Sequence, residues 1–315
     1  METVRSYPSR VDIRDVGPRD GLQPESPVPV ADRIRLVEAL QDAGVRHLEV
    51  TAFVSPTAVP AMAGAAEVLA GISRRYGATY AALVPNLKGA ELALTAGVDE
   101  LTATISASET YNQRNVNMST EESVTAIATI VRAARRGGGD PGTAGVPVDA
   151  VISCAFGSPY EGEIAPGAVA DLARRLVDLG ATVTYADTTG MATPRRIDDL
   201  LDVLTGDLAD NVGLHLHDTR GAALVNAYAA VERGVTRFDT SVGGLGGSPF
   251  AHGAGGNLAT EGLVAVLEDL GIETGIDLDR LLDAAALIGS LVGRPLPSPV
   301  ANHGPRTRLA PDQPG

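Results

Sequence analysis

The chain contains no tryptophan, and aromatic residues make up only 3% of its 315 positions. A core must therefore be assembled from Ala, Val, Leu and Ile, which are plentiful. The single cysteine, Cys154, excludes an intrachain disulfide and suits a reducing, cytoplasmic setting. On its own it reads as a small buried hydrophobe. Lysine is nearly absent too: Lys88, in PNLKG, is the only one. Schiff-base chemistry needs a lysine amine, and this one falls where a strand gives way to an exposed helix start, which argues against an imine mechanism. No apolar run approaches the roughly 18 residues of a membrane span. The opening METVRSYPSR has no apolar stretch of the kind that marks a secretory signal. With a net charge of −14 the chain also lacks the basic surface that nucleic acid requires. An anionic small molecule remains compatible wherever basic groups gather.

What is present is a regular alternation. Runs rich in β-branched residues occur at 11–17, 47–53, 79–85, 100–106, 148–155, 182–189, 212–218 and 237–244. Amphipathic Ala/Leu-rich stretches follow them at about 31–43, 57–75, 87–96, 119–136, 166–179, 194–205, 220–233 and 257–270. Ser119 and Glu122 form a capping box at the fourth. Eight βα pairs predict a closed (β/α)8 TIM barrel. An open doubly wound sheet would show a glycine-rich phosphate turn after its first strand, where this chain has VGPRDGLQ. A further helix is expected over 277–293, covering one end of the barrel. The reading is one domain over 1–295 with a mobile, proline-rich tail over 296–315.

Active sites of such barrels form where the strands end, and that rule selects among the polar residues. It picks out Arg19 and Asp20 after the first strand, Glu49 on the second, Asp187 ending the sixth, and His215 and His217 on the seventh. It also picks out GGLGGSPFAHGAGGN (243–257) after the eighth, with seven glycines in fifteen positions. Residues two apart on a strand share a face, so outward packing of Leu214 and Leu216 turns both imidazoles into the lumen. There they can form a hydrogen-bonded core pair or hold one metal ion. They are two of only five histidines, and Asp218 follows them at the strand end, which favours the metal. Asp20 can supply an oxygen ligand from across the barrel mouth. Asn257 has two compatible readings, an amide-oxygen ligand and the N-cap of the helix that follows. A mixed oxygen and imidazole set with no thiolate suits Mg2+ or Mn2+ better than zinc. Taken singly, Arg19, Glu49 and Asp187 could equally be structural ion-pair or hydrogen-bond partners. Gln23 carries a weak signal alone, and His47 and His303 read as surface groups.

VGPRDGLQ (16–23), LEVTAFVSP (48–56), PNLKG (85–89), SASE (106–109), SCAFGSPYEG (153–162), ADTTG (186–190), HLHDTRG (215–221) and GGLGGSPFAHGAGGNLATE (243–261) occur in this order along almost the whole chain. Together they resemble the hydroxymethylglutaryl-CoA lyase family. The resemblance implies a (β/α)8 barrel that cleaves a branched 3-hydroxyacyl-CoA into acetyl-CoA and a keto acid. It implies Asp20, His215, His217 and Asn257 as metal ligands, Arg19 as the group that stabilises the enolate, and Glu49 and Asp187 as orienting groups. Gln23 joins Arg19 on the substrate, and the assembly is a homodimer. The family's loop carries a cysteine that acts in proton transfer; this chain has Ser248. A thiol, with a pKa of about 8.5, exchanges protons near neutrality far more readily than an alkyl hydroxyl. His252, four residues on, or water held by Ser248 is then the expected donor, and the glycines suit a lid. The alternatives are a Claisen-type acyltransferase, a keto-acid aldolase on the same barrel, or a catalytically impaired acyl-CoA-binding homologue.

Overall fold

Each β-branched run is followed by a helix that returns the chain to the same edge of the sheet, so successive strands must lie parallel. In the computed structural model, which describes residues 7–136, 145–247 and 255–307, they do. The strands are β1 (Asp12–Asp15), β2 (His47–Ala52), β3 (Thr79–Leu83), β4 (Glu100–Ser106), β5 (Val148–Ser153), β6 (Thr182–Asp187), β7 (Gly213–Leu216) and β8 (Arg237–Thr240). They pair in chain order, and β8 pairs with β1 to close the barrel, Asp12 opposite Arg237 and Arg14 opposite Asp239. Leu48, Val50, Leu214, Leu216 and Phe238 are buried in the core cluster that the surrounding helices complete.

The strands at β1, β7 and β8 end two to four residues earlier than the apolar runs predict. The residues that leave the sheet there include His217 and the start of the turn that carries Arg19 and Asp20. The second predicted helix, 57–75, is also shorter: a 3-10 turn at Pro60–Met62 precedes a helix of only Ala65–Gly71. Pro60 and the left-handed Gly64 (φ 75°) interrupt the helical period. The capping box forms as expected: the Ser119 N–H donates to Glu122 Oε2 at 2.8 Å and the Glu122 N–H to Ser119 Oγ at 3.2 Å. A helix the periodicity does not reveal, Glu109–Val116, follows β4, its N-terminus capped by Ser108 Oγ on the Tyr111 N–H.

The late helix, Leu278–Val292, does not cap an end of the barrel. It packs beside Val30–Asp42 and Thr260–Asp269 and reaches the Val242–Gly244 turn. The stretch expected to be mobile from 296 onward begins with structure. The Ser298 N–H donates to Gly243 O at 3.2 Å, and Pro299–His303 is a helix capped by Ser298. Proline at the first turn fixes the helical φ there. Among the described residues, no helix is long and apolar enough to cross a membrane.

Candidate active site

β1 ends at Asp15, and the next residues, Gly17–Gly21, wind into a single π-helical turn, a device common at functional positions. Asp15 Oδ1 accepts the Gly17 N–H at 2.8 Å, and any side chain at Gly17 would collide with Asp15 and Val242. The turn sets Arg19 and Asp20 side by side over the strand ends. Arg19 is 8% exposed; its Nε donates to Glu49 Oε2, and its Nη1 donates to Asp20 Oδ1 and, at 3.5 Å, to Gln23 Oε1. Burial opposes the charge on both Arg19 and Asp20, yet the pairing outweighs it. The guanidinium is held above its ordinary pKa by Glu49 and Asp20, and the Asp20 carboxyl is held below its own by Arg19 and the two histidines.

Across the mouth, His215 on β7 and His217, one residue past its end and bridged to Asn257, turn inward together. Their Nε2 atoms face one another at 3.1 Å. Each Nδ1 is engaged on the far side, His215 with Asp239 Oδ2 at 3.2 Å and His217 with Gly255 O at 3.1 Å. Both acceptors require an Nδ1–H, so in neutral rings two bare nitrogens point at the same small volume. A cation there satisfies both. Burial lowers the pKa of each imidazole; for His215 the Asp239 carboxylate reverses the direction and raises it, while His217 falls to about 4 with His215 beside it.

Asp20, His215 and His217 bring ligand atoms within 4.8 Å of one another. Asn257 completes the group. Its Nδ2 donates to Asp20 Oδ2 at 2.7 Å and to Leu245 O at 2.9 Å, and its Oδ1 is buried without a hydrogen-bond partner. A buried carbonyl oxygen with nothing to accept is costly unless something unseen engages it. One carboxylate, one amide oxygen and two imidazoles fit a divalent ion of the Mg2+ or Mn2+ type. The N-cap reading of Asn257 does not hold: the helix begins at Thr260 behind Ala259, and the amide instead reaches Asp20 in the turn after β1. Gly246 makes this approach possible. At φ +119° it lies against Asn257 Nδ2 and Asp20 Oδ2, with no room for a Cβ.

A cavity of about 300 Å3 opens above the cluster. Arg19, Asp20, Gln23, His215 and His217 form one side, and Thr104, Ser153 and Thr188 present hydroxyls from β4, β5 and the end of β6. Apolar lining comes from Val54, Ala58, Val59, Leu83, Pro85 and Val116, and Tyr111 and Asn115 also line the cavity. Glu49 reaches the cluster through Arg19. Asp187 is not among the cavity's lining residues: its Oδ1 accepts the Met191 and Ala192 N–H groups at 2.7 and 3.0 Å, while its Oδ2 is buried without a hydrogen-bond partner and the carboxylate interacts with His215 electrostatically. Its position two residues before a glycine turn makes it a loop clasp, and burial pushes its pKa up to about 7. Ser248 and His252 lie outside the described residues.

Lys88 is exposed, in keeping with its expected setting, and Cys154 is fully buried. His47 is not a free surface group; its Nε2 lies 3.1 Å from Glu100 Oε1 at the amino-terminal end of the barrel. The strand-end filter passed over the cavity hydroxyls, as well as Tyr111 and Asn115 from the helix after β4. It also missed Arg14 and Asp239, which lie deeper in the lumen. The signal for this pair was available: a charged residue inside a barrel strand is unusual at any depth.

The HMGL-like family profile matches residues 10–288. The chain is 44% identical over 292 residues to the 3-hydroxy-3-isohexenylglutaryl-CoA/hydroxymethylglutaryl-CoA lyase of Pseudomonas aeruginosa, covering 92% of this chain and 95% of that one. The crystal structure of the Bacillus subtilis HMG-CoA lyase superposes with a TM-score of 0.89 at 40% identity, covering 94% and 98% of the two chains. An HMG-CoA lyase from Acinetobacter baumannii, solved with coenzyme A and 3-methylmalate, gives a TM-score of 0.87 at 38% identity over 99% of both. With the profile spanning nearly the whole barrel and relatives this similar end to end, the chain belongs to the HMGL-like family.

Proposed function

We propose that this chain is a divalent-metal-dependent carbon–carbon lyase. It cleaves a branched 3-hydroxyacyl-CoA, such as 3-hydroxy-3-methylglutaryl-CoA, into acetyl-CoA and a keto acid, the activity for which its relatives are named. The observation that carries the reading is the convergence of Asp20, His215 and His217 beside the buried Arg19, with Asn257 bonded to Asp20 and its own Oδ1 left unpartnered. These four would hold Mg2+ or Mn2+. When bound, the ion acidifies the substrate's tertiary hydroxyl and fixes its position.

The chain's own groups supply the rest. A base takes the hydroxyl proton, the C2–C3 electron pair moves into the thioester carbonyl, and the former alcohol becomes the ketone of the keto acid. Arg19, anchored by Glu49 and Asp20, places a fixed positive charge where the enolate oxygen develops, and preorganised charge of this kind is worth most in a water-poor site. Gln23 extends the polar edge next to Arg19. The enolate carbon then takes a proton, which we assign to water held by Ser248 or to His252. Asp187 positions the loop after β6. The working assembly is a cytoplasmic homodimer, following the family resemblance.

A second reading concerns the branch. The apolar wall of Val54, Ala58, Val59, Leu83, Pro85 and Val116 favours substituents longer than methyl, consistent with the isohexenyl compound in the Pseudomonas relative's name. Acetyl-CoA release from 3-hydroxy-3-methylglutaryl-CoA and from a longer-branched analogue, with Mg2+ or Mn2+ and again after EDTA, tests both readings. Turnover that survives chelation would overturn the metal-dependent scheme. A longer-branched substrate cleaved no better than the methyl one would overturn the second reading.

A further inference from the structure

Below the site, the lumen holds a second set of charges that the lyase scheme does not use. Arg14 on β1 is 4% exposed and donates in four directions. Its Nε reaches Asp239 Oδ1 at 2.8 Å, its Nη2 reaches Asp239 Oδ2 and Asp149 Oδ2 at 2.8 Å each, and its Nη1 reaches Glu100 Oε1 at 2.9 Å. Asp149 is further tied by the Thr182 and Thr184 hydroxyls at 3.0 and 2.9 Å. One oxygen of this network, Asp239 Oδ2, also lies 3.2 Å from His215 Nδ1. The register explains the meeting, since Asp239 is the Cα partner of both Arg14 on β1 and His215 on β7.

From this geometry we infer that Asp239 is a positioning residue for the metal centre, and that the Arg14 fork fixes it in that role. The inference rests on the proposed ligand set. A carboxylate paired with both arms of a guanidinium can only accept, so the proton between Asp239 and His215 sits on Nδ1. That leaves His215 Nε2 bare and aimed at Asp20 and His217. Ligating histidines elsewhere depend on such a partner for tautomer and ring orientation, and its loss typically weakens metal binding about 10–100-fold. Arg14 makes the arrangement rigid: Asp239 cannot rotate without breaking one of two charge-assisted bonds.

The substitution Asp239→Asn separates this role from simple charge burial. An amide offers one acceptor where three donors converge. If its oxygen stays on His215, its NH2 faces the Arg14 Nε–H; if it turns to Arg14, its NH2 faces His215 Nδ1 and drives the ring proton to Nε2. Either outcome disturbs the ligand. Glu100→Gln is the control, because it removes another charge from Arg14 while leaving Asp239 and His215 untouched.

Mn2+ affinity is measured on the metal-free full-length proteins by electron paramagnetic resonance, alongside their thermal midpoints without metal. Asp239→Asn should bind Mn2+ about 10–100-fold more weakly. Glu100→Gln should stay within about threefold of wild type even where its midpoint falls. Equal losses in both variants, or none in Asp239→Asn, would overturn the inference. Absence of Mn2+ binding by the wild type would instead overturn the metal reading beneath it. If Asp239→Asn does not fold, histidine-selective 15N spectra of the wild type saturated with Mg2+ decide the matter. They should show His215 protonated on Nδ1 only, and a proton on Nε2 would refute the assignment.

Discussion

Asn257 offers the sharpest test of the site, because its amide is divided between two tasks. Nδ2 holds Asp20 and the Leu245 carbonyl, and Oδ1, buried without a hydrogen-bond partner, is the proposed ligand atom. In Asn257→Ala the first task is lost whatever binds. A buried hydrogen bond to a carboxylate contributes about 1.5–3 kcal/mol and one to a neutral carbonyl about 1. The metal-free protein should therefore lose about 3 kcal/mol, a drop of roughly 5–10 °C in Tm for a chain of this size. The second task appears only on adding Mn2+. At about 100 times its Kd, the wild type gains about 2.7 kcal/mol from the ion, and a variant binding 100-fold more weakly gains only about 0.4. Asn257→Asp gives the opposite pattern. It sets a second carboxylate against Asp20, so the metal-free protein is destabilised, and a cation between the two relieves the repulsion and produces a larger rise than in wild type. Differential scanning fluorimetry in EDTA and in a Mn2+ series reads all three proteins. If Asn257→Ala gains as much from Mn2+ as wild type does, its oxygen is not a ligand and the residue is only a clasp between β1 and the loop after β8.

Arg19→Lys keeps a positive charge but loses the planar fork that reaches Glu49 and Asp20 together. Acetyl-CoA release should fall by about 10²–10³ in kcat, while Mn2+ affinity stays within a few-fold; comparable losses in both would mean that Arg19 serves mainly to set Asp20. Glu261 has its pKa pushed up to about 8 by burial, so it is protonated in the folded chain at a pH where the unfolded chain is ionised. Its contribution is full below the unfolded carboxyl pKa, about 4.3, and is lost as pH rises through 8. Tm should decline from pH 5 to pH 8.5, and Glu261→Gln, which keeps an acceptor for the Gly243 N–H, should flatten the decline; an unchanged slope would rule Glu261 out as its source. Cys154 is fully buried with its thiol pushed up to about 12, so iodoacetamide should label it at pH 8 only after unfolding. Labelling of the native protein would contradict that burial.

The barrel itself was legible because runs rich in β-branched residues alternate with amphipathic Ala/Leu-rich stretches eight times. His215 and His217 were legible for the same reason, since strand parity fixes a shared face before any contact is known. Asp20 could be placed at the mouth by strand end alone. Reading failed where local sequence offers two outcomes and the tertiary structure selects one. Asn257 directly before an amphipathic run has the look of a cap, yet the helix waits until Thr260 because residues 257–259 are drawn into bridges with His217 and Ser241. Asp187 ends its strand as a catalytic carboxylate would; the turn at Gly190, which strand position alone does not announce, also brings the Met191 and Ala192 N–H groups to its Oδ1 and leaves Oδ2 without a partner. The helix Glu109–Val116, which carries Tyr111 and Asn115 to the cavity, is short and largely polar. No periodicity could reveal it, although Ser108 before Glu109 is a helix-start signal.

The network beneath the site bears on why a cation belongs above it. Asp20 and Glu49 in the upper layer, and Glu100, Asp149 and Asp239 in the lower, bring five carboxylates to one lumen. Arg14 and Arg19 are the guanidinium groups buried among them, and Arg237 approaches Asp149 at 3.6 Å from the half-buried rim. Among the described residues, and with the histidines neutral, three positive charges face five negative ones in a region where water contributes little screening. Proteins do not sustain such an excess without protonating a carboxyl or recruiting a counter-ion. Protonation is disfavoured at Asp20, Glu100 and Asp239, whose pKa values all lie below the ordinary range because arginine or histidine partners outweigh burial. A divalent cation at the histidine pair restores the balance. Within the lower layer only Asp239 touches a proposed ligand, so the layer's part in retaining the ion runs through His215. Mn2+ affinity should then be nearly independent of ionic strength between 0.05 and 0.5 M added salt, because mobile ions screen buried pairs far less than exposed ones. A steep loss of affinity over that range would place the attracting charge at the surface instead.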